Sequence, residues 1–373
     1  MKWKMQKLAD ICTVKTGKLD SNAAIPGGEY PFFTCAPETF RINTFTFDTE
    51  AVLLAGNNAS GIFPLKYYEG KFDAYQRTYV LESIYKDRLM VKFLYYTFIL
   101  LLEYFQSVSI GAATQYLTKI ILNNLSVPIP PMVTQEKIVF RLSAYDDLIE
   151  NNRRRMALLE EAARLMYQEW FVHLRFPGHE HTRITEGVPK GWERKAIGEL
   201  ADITMGQSPE SKFYNDVGEG IPFHQGVTDF GDRFVTNRIY STAFNRIANA
   251  GEILCSVRAP VGKLNITLEK IVIGRGLAAL RSRTKHQSLL FYQLRNYFFK
   301  EDIIGTGAIF ASVTKREFSN QKLLVPPKRL AGTFEELTVN IDDEIRLLHL
   351  QNQKLRAARD LLLPRLMSGE IAV

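Results

Sequence analysis

Between Pro131 and Pro177 the chain has neither proline nor glycine, and apolar residues recur there at alternating steps of four and three: Ile138, Leu142, Tyr145, Ile149, Met156, Leu159, Ala163, Met166 and Trp170. A mean step of 3.5 is the seam of a coiled coil. The stretch from Pro130 to Phe176 is therefore predicted to be one long helix, its seam ending at His173. Arg153-Arg154-Arg155 and Glu160-Glu161 lie mostly off the stripe, so the helix needs a partner on one side and water on the other. Asn152 interrupts the seam as the kind of polar residue that fixes register at a cost in stability.

The partner is predicted within the same chain. Pro326-Pro327 opens a second stretch of the same design, ending at Gly369, with a stripe of Phe334, Thr338, Ile341, Ile345, Leu348, Asn352, Leu355, Arg359, Leu362 and Leu366. From Pro130 to Pro326 the offset is 196 residues, and at that offset Asp146-Asp147 falls on Asp342-Asp343, Ile149 on Ile345 and Leu165 on Leu361. Self-similarity at a fixed offset means two copies of one unit. Thr333 with Glu336 three residues on has the form of a capping box and predicts a helix start there, while Pro364 predicts a kink or an end.

A chain of 373 residues with 46% hydrophobic content can build two or three packed domains. Its longest apolar run, Phe93 to Leu102, is too short for a bilayer, and Met1-Lys2-Trp3-Lys4 opens no apolar signal core. A cytoplasmic protein with no membrane partner is expected. Cys12, Cys35 and Cys255 are odd in number and share no metal-ligand spacing, which fits buried thiols in a reducing compartment. The net charge of +7 suits a polyanionic partner without requiring one.

From Trp3 to about Pro128 the sequence reads as a module of short strands, turns and one helix. Leu8-Ala9-Asp10-Ile11 opens it, Gly27 to Phe32 is a turn into a strand, and Ala51 to Ala55 is a strand followed by the loop Gly56 to Gly61. Phe72 to Leu81 alternates like a strand, Met90 to Phe105 is a predicted buried helix, and Ile110 to Lys119 is a loop. After the linker Pro177 to Lys190 the order repeats: Leu200-Ala201-Asp202-Ile203, Gly218 to Phe223, then Gly251 to Gly262. Gly307 stands 196 residues after Gly111, and Thr314-Lys315 the same distance after Thr118-Lys119. The order module, helix, module, helix predicts an antiparallel helix pair and a pseudo-two-fold repeat, with a spacer of roughly 60 Å.

Two modules held apart on a rod suit a long, repetitive object, and double-stranded DNA is the natural one. Candidate contacts in predicted loops are Lys15, Lys18, Asn57, Asn58, Gln115, Tyr116 and Lys119 in the first module. In the second they are Gln207, His224, Gln225, Arg258, Lys263, Arg275 and Lys315. Asn and Gln pair bidentately with adenine and Arg with guanine; lysines neutralise phosphate. Apolar surface beyond what two helices cover marks Tyr167, Trp170, Phe171, Leu361 and Leu363 as candidate partner-docking residues.

The chain resembles the specificity subunit of Type I restriction-modification systems over essentially its whole length. The likeness is carried by the two Leu-Ala-Asp-Ile openings, the strand ends Val127 to Pro131 and Leu323 to Pro327, and the C-terminal Leu362 to Ile371. It implies an α+β chain: 1–129 a first target-recognition domain, 130–176 a first spacer helix, 177–325 linker and second recognition domain, and 326–373 a second spacer helix. It also implies a non-catalytic subunit that reads a bipartite DNA site and directs DNA adenine methyltransferase (modification) subunits and restriction endonuclease/translocase subunits. No cofactor is expected in this chain, with S-adenosylmethionine, ATP and Mg in the partner subunits. One departure is that Ala331-Gly332 stands where the first helix has Gln135-Glu136.

A self-sufficient DNA-modifying enzyme and a coiled-coil scaffold are the competing readings. Against the first, both double prolines follow apolar residues, Ile129 and Val325, rather than the Asn or Asp of a base-holding element. Gly17-Lys18-Leu19 and Gly262-Lys263-Leu264 lack the Ser/Thr of a phosphate loop. Glu69-Gly70-Lys71 and Glu210-Ser211-Lys212 read as surface charge, and His179-Glu180-His181 as a solvated linker.

Overall fold

Strand Phe47–Ala55 carries an unbroken buried run from Ala51 to Ala55, the pattern of a strand covered on both faces. The alternation of its side chains divides two cores: Ala51 and Leu53 join Phe33, Phe72 and Val80, while Val52 and Leu54 join Leu81, Phe93, Leu94 and Phe98 of the helix behind. Around it a six-stranded sheet runs in the order Cys12–Thr16, Thr78–Ser83, Phe47–Ala55, Leu65–Ala74, Tyr30–Phe33, Phe40–Ile42. All neighbours are antiparallel except Tyr30–Phe33 against Leu65–Ala74.

This computed structural model describes residues 3–59, 61–300 and 312–371; Ser60 and Gly307, which figure in the sequence reading, lie outside them. The chain divides into two units, Met1–Arg153 with His349–Val373, and Arg154–Leu348. In the second unit the sheet system is split. One sheet runs Ala201–Met205, Leu277–Ser282, Ile253–Ser256, Leu264–Ile266. The other contains Ile221–His224 beside Ile271–Ile273, again a parallel pair. The long strand Leu65–Ala74 of the first module thus corresponds to two short strands in the second. Strand Lys4–Lys7 pairs with Ser126–Ile129, Lys4 opposite Ile129; Glu193–Ala196 pairs with Lys322–Val325, Glu193 opposite Val325.

The first long helix is Met132–Tyr167, continued by a π-turn over Gln168–Val172, and the second is Lys328–Met367. Both start directly after their double prolines: Gln135 N donates to Pro131 O at 3.1 Å and Ala331 N to Pro327 O at 3.0 Å. Thr333 is therefore no cap. Its hydroxyl donates to Arg329 O at 3.1 Å inside the helix, a local bond that satisfies Thr without ending the ladder. Nor does Pro364 stop the second helix, which runs on to Met367 and ends before Gly369 at φ +74°. The predicted helix Met90 to Phe105 is two, Val91–Leu100 and Leu102–Val108, broken at Leu101. The predicted strand Phe72 to Leu81 is interrupted by a turn at residues 75–77, which contains neither Gly nor Pro.

Within each unit the helices pack antiparallel along the predicted seam. In the first, Asn152 Nδ2 donates to Asn352 Oδ1 at 2.9 Å, Asn352 Nδ2 donates to Ile149 O at 3.2 Å, and Ile138 and Leu142 share a core with Leu363 and Leu366. In the second, Arg155 pairs with Glu344 at 2.6 Å and Ala163 packs with Phe334. His173, the expected last seam residue, is exposed beyond the helix end.

Each module is fastened to its helices by the same Tyr–Asp pair, 196 residues apart. Tyr96 donates to Asp146 Oδ2 at 2.6 Å, and Tyr292 to Asp342 Oδ1 at 3.2 Å. The guanidinium that completes each pair comes from different places: Arg359 of the second helix meets Asp146 at 2.6 Å, and Arg233 of the second module meets Asp342 at 2.6 Å. At Arg359's equivalent position the first helix has Ala163, and Arg233 is buried over the Phe291 ring at 4.5 Å. Gln135 shows a similar migration. It is fully buried, accepts from Met90 N at 3.0 Å and donates to Arg88 O at 2.7 Å, whereas its counterpart Ala331 does nothing comparable. In the second unit Glu335 takes the backbone of a helix start instead, accepting from Ser288 N at 3.0 Å and Leu289 N at 2.9 Å.

Candidate nucleic-acid interface

Gly17 leaves its strand so close to the neighbouring backbone that a Cβ would stand 1.7 Å from Ala74 O; Gly206 does the same at 2.1 Å from Gly274 O. Only glycine allows this approach. From that crossing the loops of the first module are laced together through the backbone: Gln76 N to Leu19 O at 2.9 Å, Gly56 N to Arg77 O at 2.8 Å, and Leu117 N to Gly56 O at 2.9 Å. Asn57 then pairs with Tyr116 and Asn58 with Gln115 in a short antiparallel ladder.

The second module repeats the lacing with one change, a serine hydroxyl taking the place of the Leu19 carbonyl. Arg275 N donates to Ser208 Oγ at 3.2 Å, Val257 N to Gly276 O at 2.9 Å, and Val313 N to Val257 O at 2.9 Å; Arg258 bridges Ser312. The equivalent backbone positions therefore carry Lys18 and Gln207, Gln76 and Arg275, Asn57 and Arg258, Lys119 and Lys315. All are exposed except Asn57, which is half-buried. Thr34 and Gln225 form a further pair, since Tyr75 N donates to Phe33 O at 2.9 Å and Gly274 N to His224 O at 2.8 Å. Below Thr34, Lys66 Nζ ties the loop by donating to Ala36 O at 3.0 Å and Glu38 O at 2.6 Å, and burial pulls its pKa down to about 8. One scaffold thus offers two different sets of exposed amides, guanidinium groups and amines, the groups that bind base edges and phosphates.

The comparisons with known proteins agree with this repeat. The family model described as the Type I restriction modification DNA specificity domain matches residues 1–161 and 189–331. The chain belongs to the Type I restriction-modification specificity family. It is 32% identical over 257 residues to the putative type I restriction enzyme MjaX specificity subunit of Methanocaldococcus jannaschii, covering 68% of this chain and 60% of that protein. It is 37% identical over 224 residues to the type I restriction enzyme EcoDI specificity subunit of Escherichia coli, covering 54% and 49%. The match thus spans about half to three fifths of these relatives' lengths. In fold it is similar to a crystal structure of the S subunit of a Type I restriction-modification system from M. genitalium, with a TM-score of 0.61, 17% identity, and 98% and 96% of the two chains covered.

Several candidate residues of this specificity-family chain sit elsewhere than loop propensity suggests. His224 is fully buried: Asn237 uses its amide N–H on Glu269 at 2.6 Å, so its Oδ1 accepts from His224 Nε2–H at 3.0 Å. Its Nδ1 is enclosed without a hydrogen-bond partner, and burial holds its pKa below the usual histidine value. It is enclosed at the end of strand Ile221–His224, next to the exposed Gln225. Gln115 is engaged in its own loop, accepting from Ser109 Oγ at 3.0 Å and donating to Gly111 O at 2.7 Å. The carbonyl oxygen of Asn57 is enclosed. Lys15 is ion-paired to Glu82 at 2.6 Å, and Lys263 lines a cleft with Asp232, Glu160 and Arg295.

The expected docking residues are largely covered. Tyr167 and Phe171 are buried in the core of the second unit with Phe334, Trp170 packs on Phe334 at 5.8 Å between ring centres, and Leu363 lies in the core of the first unit. They pack on their own modules because the helix ends are where the modules attach. Of the five, Leu361 alone is exposed, at 68%. Greater apolar exposure lies off the seam, at Phe140 (78%) in the first unit and Leu158 (71%) in the second; Leu165, the repeat partner of Leu361, is exposed too but less so. Their position outside the 4-3 stripe is the signal that a seam reading passes over. Gln76 and Arg77 carry no loop signal in the sequence, because alternation hides their turn. Arg77 lies over the Tyr116 ring at 5.5 Å.

Proposed function

We propose that the chain is a non-catalytic DNA-recognition subunit, each module of which reads one half of a bipartite double-stranded site. The observation that carries this reading is the duplicated lacing with unlike side chains exposed in both modules at two of its equivalent positions, Lys18 against Gln207 and Gln76 against Arg275. A scaffold kept while its reading chemistry diverges is what two half-sites of different sequence require. Lys18, Lys119, Gln207, Gln225, Arg258, Arg275 and Lys315 are assigned to the interface, with Gln76 and Arg77 added and His224 and Gln115 moved to its support.

The methyl transfer is assigned to DNA adenine methyltransferase subunits and cleavage to restriction endonuclease/translocase subunits. S-adenosylmethionine, ATP and Mg act in those partners, in the cytoplasm. Phe140, Leu158, Leu165 and Leu361 are the apolar surface offered to them. Among the described residues no helix is long and apolar enough to cross a membrane.

The test is DNA binding by the purified chain with its modification partner, measured against salt. Lys119→Gln and Lys315→Gln, as phosphate contacts, are expected to weaken all sequences alike, and each to lower the slope of log K against log salt by roughly one. Binding without salt dependence, or no binding at all, contradicts the proposal.

A further inference from the structure

Gln76 and Arg275 occupy the same place in two copies of one turn. Tyr75 O accepts from Thr78 N at 2.8 Å in the first module, and Gly274 O accepts from Leu277 N at 3.0 Å in the second. The carbonyl two residues on, of Arg77 or Gly276, accepts from the residue leaving the central strand, Gly56 N or Val257 N. Both side chains are exposed, an amide in the turn Tyr75-Gln76-Arg77 and a guanidinium in the turn Gly274-Arg275-Gly276.

The Gln76 amide is oriented. Its Nε2 donates to Asp20 Oδ1 at 2.6 Å, which leaves Oε1 and the second N–H of the same planar group presented together. That acceptor and donor match the N6 amino group and N7 of adenine. A phosphate contact is disfavoured at this point because the exposed Asp20 carboxylate would repel it. The Arg275 side chain makes no hydrogen bond or ion pair among the described residues, and its fork matches O6 and N7 of guanine.

We infer that the position shared by Gln76 and Arg275 is a base-reading position of both modules, set to an A·T pair in the first and a G·C pair in the second. The inference rests on the proposed DNA recognition and adds which base each module takes at one position.

The test is sequencing of methylated sites in a host that carries the full chain with its modification partner. Gln76→Arg is expected to change one position of one half-site from A to G, and Arg275→Gln one position of the other half from G to A. Gln76→Ala keeps the exposed turn and is expected to relax that position by roughly 5- to 150-fold, the range of a single bidentate contact. Unchanged sites in Gln76→Ala and Gln76→Arg, with methylation persisting, overturn the inference. So do changes spread over both halves, or loss of all methylation in Gln76→Ala at an unaltered melting temperature, since one base contact is too small to abolish recognition. A wild-type chain that directs no methylation at any sequence overturns the DNA reading itself and the inference with it.

Discussion

At the scale of single residues, the second module shows how a loop-reading residue and its support differ. A histidine next to a glutamine before a glycine invites a contact reading, yet His224 has no exposed surface, while Gln225 beside it does. The strand Ile221–His224 is buried without alternation from Pro222 to His224, and the loop begins one residue later. A consequence for pH follows. The folded state keeps His224 neutral below the ordinary pKa of 6.5, while the unfolded chain takes up a proton. Stability is therefore full above about 6.5 and falls as pH drops through the depressed folded value. Thermal unfolding from pH 7.5 to 5, at steps of roughly half a unit, is expected to show this loss, with a shallower slope in His224→Gln. Equal slopes in the two proteins would contradict the assignment.

At the scale of elements, the long helices were legible because a 4-3 apolar period over many turns has no other solution, and all but the last seam position of the first helix are buried or half-buried. Their starts were misread at Thr333 because a capping box is a local pattern, and a Thr–x–x–Glu also occurs inside a helix already begun by a double proline. The turn at residues 75–77 was invisible for the opposite reason: its bend comes from pairing with Leu19 and Gly56, not from its own residue types. The Tyr–Asp–Arg fastenings were half legible. The aspartates repeat at the fixed offset, but the guanidinium arrives from unrelated positions, which no repeat can reveal. Asp342→Ala takes from the Arg233 guanidinium, whose side chain is 3% exposed, its short ion pair at 2.6 Å and leaves it Glu160 at 3.7 Å and the Tyr292 hydroxyl at 3.3 Å. It is expected to cost about 3–5 kcal/mol in denaturant unfolding of the second unit, while Arg233→Leu with Asp342→Leu together is expected to lie much closer to wild type. An equal loss in single and double variants would show that packing, not the buried pair, is responsible.

At the scale of the whole chain, the central claim is that two modules of one design read separate half-sites. The duplicated order of elements was legible from the 196-residue offset, and the backbone equivalences of the interface were not, because they join segments of each module that are distant in sequence. The claim is tested most directly by exchanging residues 1–128 for the corresponding segment of another family member and sequencing the methylated sites in a host supplying the modification partner. The account predicts a bipartite site in which one half takes the donor's sequence and the other half is unchanged. A contiguous site, or a change in both halves, would contradict it.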